Sequence, residues 1–244
     1  MPTVKYDEIY RELRREIETG VYTKELPAER VLTEKFNCSR NTVRRAVAEL
    51  EQNGYVQSAH GSGVFILFRE PERPERTDFK FSDVESMKEA AERANLNIST
   101  RVVYFTELVT DAETAALTGF PIGEEIYYLR RVRYLDGEAL ILDHNYFLKS
   151  VARGLSPKIA EASIYEYMEK ILKEKIVTTQ RKYTVELASD LDREYLNLGD
   201  YNCIVMVSGR TFNSKGVQFE YTRSRHRADR FAFYGQVRRR KPEI

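Results

Sequence analysis

The chain has 244 residues, 42% of them hydrophobic and 11% aromatic, which allows one long domain or a small and a larger one, each with a buried core. Its 39 basic and 38 acidic residues nearly cancel, so overall charge does not indicate a polyanionic partner, and any such signal has to be local. The charged N-terminal segment and the lack of a long apolar run argue against a secreted or membrane protein. The only cysteines, Cys38 and Cys203, lack the spacing of a metal site or disulfide framework. We therefore expect buried thiols in a cytoplasmic protein without metal or cofactor.

Three short helices are predicted at the start of the chain. The first covers residues 5 to 19, where apolar side chains recur at spacings of four. The second follows Pro27 and has three apolar residues that we expect to face inward: Val31, Leu32 and Phe36. The third starts at Ser39, after a break of two residues. Two helices joined by so short a turn are typical of a helix-turn-helix.

The third helix has an apolar face and a basic face, and Ser39 is its expected N-cap. The apolar face consists of Val43, Ala46, Val47 and Leu50. The basic face consists of Arg40, Asn41, Arg44 and Arg45. Because cations bind phosphates and guanidinium groups read guanine edges in the major groove, this face predicts a DNA-recognition helix. A solvated basic surface is the alternative, which the helix-turn-helix context disfavours.

A β-hairpin is predicted after the third helix, with YVQS and VFIL as its strands and AHGSG as its loop. Gly61 and Gly63 flank Ser62 and allow the backbone to approach a narrow groove, and His60 lies at the tip. An ordinary tight turn is the alternative. Three helices and this hairpin predict a winged helix-turn-helix over residues 1–68.

A change of composition predicts a domain boundary. Residues 69–78 begin with a stretch rich in proline and charge, which is typical of an extended linker. Residues 79–244 mix helical segments with long strands, including a pair around Asp136-Gly137, a strong hairpin signal. The sequence therefore predicts an α+β protein whose second domain has an antiparallel sheet with helices packed against it.

The first domain resembles the GntR family of bacterial transcription regulators through LPAERVLTEKFNCSRNTVRRAVAELEQNGYVQSAHGSGVF. The resemblance implies a homodimer on a palindromic operator in double-stranded DNA. It implies DNA contacts from Arg30, Arg40 and Arg44, and from His60 and Gly61 in the minor groove. The other residues predicted at the DNA interface are Ser39, Asn41, Thr42, Arg45, Ser62 and Gly63. Many family members have serine where Ala28 stands, so we expect the second helix to lack a side-chain cap.

An anion site is predicted in the second domain. Arg131 and Arg133 lie two apart on one strand, so their side chains share a face and can hold a phosphate together. Ser163 starts a helix whose unpaired N–H groups favour an anion, and Ser86, in the capping box that starts a second helix, would add another hydroxyl to the phosphate. The alternatives are that the arginines serve acidic neighbours and that both serines only cap helices.

The second domain resembles the effector domain of the HutC subfamily, the UTRA type with a chorismate lyase-like fold, over residues 79–233. The resemblance is carried by RRVRYLDGEALILDHNYF, SIYEYMEK and FEYTRSRHRADRF, which are most similar to trehalose operon repressors that respond to trehalose 6-phosphate. It implies that four further residues line the effector pocket: Asp143, Tyr165, Glu220 and Arg227. Phe231 stands where many relatives have tyrosine. Surface ion pairs are the alternative role for the charged residues.

These observations predict a DNA-binding repressor of a sugar-utilisation operon, that of trehalose, which a sugar phosphate releases from its operator. A HutC-type regulator that senses another phosphorylated sugar or metabolite is the first alternative. An enzyme of the lyase-like fold is the second. We do not expect an enzyme, because the sequence has no nucleophile motif or metal-ligand cluster and its three histidines, His60, His144 and His226, stand in unrelated settings.

Overall fold

The computed structural model describes residues 5–59, 61–68, 77–79 and 97–233. They fall into two compact units, one before the predicted linker and one containing the long strands. The prediction of a winged helix-turn-helix followed by an α/β domain with an antiparallel sheet is confirmed. The prediction of a linker over residues 69–78 lies mostly outside the described residues, and the helix predicted to start at Ser86 lies wholly outside them.

The first unit consists of three helices and a hairpin, as predicted. Its elements are α1 (Lys5–Glu18), α2 (Glu29–Phe36), α3 (Arg40–Gln52), β1 (Val56–Ala59) and β2 (Gly63–Ile66). The core joins all five elements through Ile9, Leu13, Ile17, Leu32, Val43, Ala46, Leu50, Val56 and Ile66. Leu32 is buried, but Val31 is 48% exposed, so the prediction that Val31 faces inward is wrong. A helix of eight residues buries one narrow stripe, and Leu32 with Phe36, one turn apart, already fills it.

The turn between α2 and α3 fixes the angle of the helix pair. Asn37 ends α2 in the left-handed conformation with φ 45°. Ser39 is the N-cap of α3, and its Oγ accepts a hydrogen bond from the Thr42 N–H at 3.2 Å. Ala28 is the N-cap of α2 and makes no side-chain cap bond, as expected.

The second unit is built on a six-stranded antiparallel sheet with the order β4-β5-β6-β9-β8-β7. Its strands are β4 (Ile98–Val109), β5 (Glu125–Leu135), β6 (Glu138–Leu148), β7 (Ile176–Leu187), β8 (Cys203–Asn213) and β9 (Gln218–Arg227). Its helices are α4 (Ala112–Thr118), α5 (Pro157–Ala162), α6 (Ile164–Lys170) and α7 (Asp190–Tyr195). A short 3-10 turn, Ala228–Arg230, leads into β10 (Phe231–Phe233), which pairs in parallel with β3 (Thr77–Phe79) outside the main sheet. The predicted hairpin turn is present, with positive φ at both Asp136 and Gly137.

The sheet has two covered faces, which we call the α6 face and the α7 face. On the α6 face, α5 and α6 pack on β5 and β6 through Leu129, Phe147, Ala160, Ile164 and Met168. On the α7 face, residues around α7 pack on β5, β6 and β8 through Val132, Leu142, Leu196, Ile204 and Met206. Both cysteines are half-buried rather than buried.

Candidate functional sites

The basic face of α3 is exposed and partly tied to α2. Arg40 and Arg44 have 71% and 66% of their side chains exposed, and Asn41 is also exposed. Glu29, the first residue of α2, lies next to both arginines: its carboxylate is 2.7 Å from Arg44 Nε and 3.8 Å from Arg40 Nε. The structure therefore presents two guanidinium groups on one helix face, as a reading helix requires.

The other residues predicted around this face have different surroundings. Arg30 is exposed on α2 and lies 3.5 Å from Glu34. The Arg45 guanidinium stacks over the Tyr6 ring of α1 at 4.2 Å, away from its neighbour Arg44. The hydroxyls of Ser39 and Thr42 are 2.8 Å apart and take part in the cap. Arg45 and the two cap residues are thus engaged within the unit, whereas Arg40 and Arg44 face outward.

The wing has the backbone that its glycines suggest. Gly61 and Gly63 both have positive φ, of 74° and 125°. A side chain at Gly61 would meet no neighbouring atom, so the positive φ alone favours glycine there. The N–H of Ser62 donates to the carbonyl of Ala59 and closes the turn. His60 lies outside the described residues.

The α6 face carries a buried cluster of charge around Asp143. Arg131 and Asp143 are paired across β5 and β6. Asp143 accepts a hydrogen bond from Arg133 Nε at 2.5 Å and lies 3.6 Å from a terminal nitrogen of Arg131. Its other oxygen accepts from the Ser224 hydroxyl at 2.6 Å. The two predicted arginines therefore do share a face, and they also have the acidic neighbour of the alternative interpretation.

A second group of polar side chains surrounds Glu220 on the same face. The Tyr165 hydroxyl of α6 donates to Glu220 at 2.6 Å and lies 3.3 Å from the Thr211 hydroxyl. Thr211 is in turn 2.8 Å from the Thr179 hydroxyl on β7. Thr222 donates to the other oxygen of Glu220 at 3.0 Å. The arrangement brings together one carboxylate and four hydroxyls, which are groups that can hydrogen-bond a hydroxylated ligand.

Asn145 joins the two groups into one network. Its side-chain carbonyl accepts from Arg131 Nε at 2.9 Å, and its amide nitrogen donates to Thr222 and lies 3.5 Å from Glu220. A terminal nitrogen of Arg131 also donates to the carbonyl of Ala160 in α5 at 3.3 Å. The network thus extends from Asp143 to Tyr165 and contacts both covering helices.

Burial and mutual charge shift the pKa values of this network. Burial, together with the neighbouring Arg133 cation, lowers the pKa of Arg131 to about 10. Burial alone would raise the pKa of Asp143, but the guanidinium groups of Arg133 and Arg131 outweigh it and lower that pKa to about 2. Burial and the Glu220 carboxylate raise the pKa of Tyr165 well above its ordinary value. At neutral pH the network therefore holds charged arginines and a charged Asp143, with Tyr165 as a neutral donor.

The remaining predicted effector residues do not all lie on the α6 face of the sheet. Ser163 is buried at the N-cap of α6, and its hydroxyl accepts from the Glu166 N–H at 3.2 Å. The Phe231 ring packs edge-on against His226, whose partner on β6 is Ile141 of the α6 face. Arg227 follows His226, so its side chain points to the other face, where it pairs with Glu138 and Asp229. Ser86 lies outside the described residues.

Several residues of the two sites were missed by the sequence reasoning: Glu29, Asn145, Thr179, Thr211, Thr222 and Ser224. On β9 the signal was present as polar residues at every second position, Glu220, Thr222, Ser224 and His226. Asn145 follows Asp143 with the same period on β6. These patterns could be combined only with knowledge of which strands lie side by side in the sheet.

Within the described ranges there is no group of three or more His, Cys, Asp or Glu side chains that could hold a metal ion. None of the helices seen in this part of the chain has the length and apolar character to traverse a bilayer. A buried ion-pair network contributes little net stability compared with apolar packing, and buried charged groups with shifted pKa values are typical of functional sites.

Comparison with known proteins identifies both units. Residues 5–66 match the family described as bacterial regulatory proteins, gntR family, and residues 93–232 match the UTRA domain. The chain is 36% identical to the HTH-type transcriptional regulator TreR of Bacillus subtilis, over 99% of this chain and 100% of that protein.

Two solved structures are similar as well. The effector binding domain of the B. subtilis trehalose repressor (TreR) aligns with 59% of this chain and 99% of its own length, at 35% identity and a TM-score of 0.53. The possible transcriptional regulator YydK from B. subtilis aligns with 96% of this chain and 99% of its own, at 24% identity and a TM-score of 0.79, which shows the shared fold.

Proposed function

Because the chain belongs to the gntR family of bacterial regulators and carries a UTRA domain of the HutC type, we propose that it is a repressor of a trehalose-utilisation operon. In this proposal a sugar phosphate, trehalose 6-phosphate, releases it from its operator. Its relatives are transcriptional regulators, so the protein is a regulator and not an enzyme.

The proposed DNA contacts come from α3, α2 and the wing. Arg40 and Arg44 supply base reading and Arg30 supplies phosphate contact, while Gly61 lets the wing backbone approach the minor groove. The exposure of both α3 arginines supports this assignment, since a reader must reach base edges without breaking the core. We propose a homodimer in the cytoplasm on a palindromic operator, with residues 1–68 binding DNA, 69–78 as linker and 79–244 binding effector and partner subunit.

The buried network on the α6 face is the observation that carries the effector proposal. Arg131 and Arg133 already bind one carboxylate, Asp143, and a phosphate would share or replace it as the anionic acceptor. Glu220, Tyr165 and Thr211 would accept and donate hydrogen bonds to sugar hydroxyls at the other end. The network thus matches a ligand with one anionic end and several hydroxyls, which is a sugar phosphate.

The choice of trehalose 6-phosphate rests on similarity. B. subtilis TreR is 36% identical to this chain over its whole length, and its effector binding domain, described as that of the trehalose repressor, is 35% identical. Another phosphorylated sugar would engage the same arginines and the same carboxylate. Arg131 and Arg133 therefore support a phosphate group on the effector, and the similarity to TreR supports trehalose as its sugar.

The test is operator release by wild type and Arg131→Ala, each with trehalose 6-phosphate, trehalose and glucose 6-phosphate. Wild type should release DNA with trehalose 6-phosphate only, and Arg131→Ala should bind DNA but respond to none. Arg210→Ala, which removes an arginine stacked over Tyr221 in the same sheet, is the control and should respond as wild type does. Equal release by trehalose, or a fully inducible Arg131→Ala, would contradict the phosphate site. Release by glucose 6-phosphate instead would favour the alternative sugar.

A further inference from the structure

Glu29 places one carboxylate against both outward arginines of the recognition helix. It lies in the first turn of α2, fifteen positions before Arg44, so the contact joins two helices and is not a neighbour pair within one. Glu29 Oε2 accepts from Arg44 Nε at 2.7 Å, and Oε1 lies 3.8 Å from Arg40 Nε. Only a third of the Glu29 side chain is exposed, although both arginines are mostly exposed.

The contact engages only one part of the Arg44 guanidinium. Its donor is Nε, and within the described residues no other partner of Arg44 is found. The two terminal nitrogens are therefore available to donate hydrogen bonds to a pair of acceptors outside the protein. A guanine edge offers such a pair in O6 and N7. A guanidinium held at Nε loses less conformational entropy when it docks on a base than one on an unrestrained side chain does.

Stability does not account for this arrangement. Ion pairs between exposed side chains contribute little to folding, because solvent screens them and ordering two long side chains opposes them. An acidic residue beside a DNA-binding face also repels phosphates and so lowers affinity for DNA of any sequence. Its benefit has to lie in how the arginines are presented.

We propose that Glu29 is a positioning residue that sets the sequence specificity of this protein. It orients Arg44, and more loosely Arg40, for base reading, and its charge weakens binding to non-operator DNA. The ratio of operator affinity to non-operator affinity therefore depends on Glu29. The inference rests on the proposed role of α3 as the DNA reader.

Three variants separate geometry from charge. Glu29→Gln removes the charge but keeps an acceptor of the same length. Glu29→Asp keeps the charge but shortens the reach to Arg44. Glu34→Gln is the matched control, because it removes the same charge from the same helix at a residue whose partner is Arg30 of α2 itself. Circular dichroism melts would verify that each variant is folded before binding is measured.

The probes are a duplex selected by the wild-type protein from a randomised pool and a scrambled duplex of the same composition. Dissociation constants for both, at two salt concentrations, give the specificity ratio and the salt dependence. Glu29→Gln should bind the scrambled duplex more tightly than wild type does. Its specificity ratio should fall roughly 2- to 10-fold, because the unrestrained Arg44 side chain would have to be ordered on binding. Glu29→Asp should lose a similar factor in the ratio without a steeper salt dependence, whereas Glu34→Gln should change both duplexes by the same factor.

A double-mutant cycle tests whether Glu29 affects specificity through its contact with Arg44. In an Arg44→Ala background, Glu29→Gln should cause no further loss of specificity ratio. The inference is overturned if Glu29→Gln or Glu29→Asp shifts both duplexes by the same factor, or if the loss persists without Arg44. If the wild-type protein selects no duplex at all, the proposed DNA-reading function fails instead, so the two failures are distinguishable.

Discussion

Arg131 and Asp143 lie directly opposite each other on adjacent strands, and the same Asp143 oxygen that is 3.6 Å from Arg131 is 2.5 Å from Arg133. One buried carboxylate therefore balances two guanidinium groups. Glu220, the second carboxylate of the network, also acts on Arg131, so a phosphate would bind the arginines in place of Asp143 rather than neutralise an excess of positive charge. The same carboxylate that stabilises the arginines also competes with the effector for them.

Asp143→Asn should destabilise the second unit and make it depend on anions. Removing one partner of a buried ion pair typically costs about 3–5 kcal/mol, and here two arginines lose their counter-charge. Thermal unfolding followed by circular dichroism should show a lower transition, raised again by phosphate or a sugar phosphate more strongly than in wild type. Asp229→Asn, which removes a carboxylate at the more exposed Arg227 pair, is the control. An unchanged transition for Asp143→Asn would mean that Asp143 is not the main counter-charge.

Tyr165→Phe should weaken effector binding without affecting operator binding. The variant removes the hydroxyl that donates to Glu220 and leaves the ring in place. A hydrogen bond to a charged group is worth about 1.5–3 kcal/mol, so effector affinity measured by calorimetry should fall by roughly 10- to 150-fold if the ligand uses this pair. Tyr167→Phe, two residues further along α6, removes a bond to the Arg153 carbonyl instead and should bind effector normally. Equal losses in both variants would indicate damage to α6 rather than to the site.

Acid should destabilise the second unit through two histidines, His144 and His226. Burial lowers the pKa of His226 to about 4, and burial together with Arg223, Arg225 and Arg130 lowers the pKa of His144 to about 4. Both values lie below the ordinary value of 6.5, so protonation favours the unfolded chain, and stability present above pH 6.5 is lost as pH falls toward 4. His226 alone would contribute a loss of about 3 kcal/mol over this window.

Urea unfolding at several pH values, followed by tyrosine fluorescence because the chain has no tryptophan, would measure this loss. Imidazole NMR signals would report the pKa values directly, since the chain has only three histidines. A His226 signal that titrates near 6.5 in the folded protein would contradict the assignment.

Local patterns in the sequence predicted local structure well. The caps Ser39 and Ser163 and the turn at Asp136-Gly137 all form as expected, because each depends on residues within a few positions. The helix α4 was missed although Asp111 caps it and Gly119 ends it, since seven residues give too short a periodic pattern.

Contacts between distant segments could not be predicted in the same way. Asn145 contacts Thr222, which lies 77 positions later in the sequence, only because β6 and β9 are neighbours in the sheet. The placement of Arg227 shows the same limit, because a motif match identifies a residue but not the strand face on which it lies. Glu29 was overlooked because its role depends on the angle at which α2 meets α3.

The two caps of the helix-turn-helix should respond oppositely to substitution. Ser39→Ala removes the hydroxyl that accepts from the Thr42 N–H, and loss of such an N-cap costs about 0.5–2 kcal/mol. Ala28→Ser should add the missing cap of α2, because Ala28 already has a non-helical backbone, with φ −54° and ψ 149°, as an N-cap residue requires. We expect a gain of similar size, on the order of 1 kcal/mol. Thermal unfolding of the first unit measures both changes.

A control for Ala28→Ser is Ala28→Val, which adds bulk at the same position but no acceptor oxygen and should bring no gain. Operator affinity should follow a different order from stability. Ser39→Ala alters the start of the recognition helix next to Arg40 and should weaken binding, whereas Ala28→Ser leaves α3 unchanged. If Ala28→Ser failed to stabilise while Ala28→Val did, apolar contact rather than hydrogen bonding would govern the start of α2. If Ser39→Ala kept full stability, the bond from Thr42 would have no role in fixing the recognition helix.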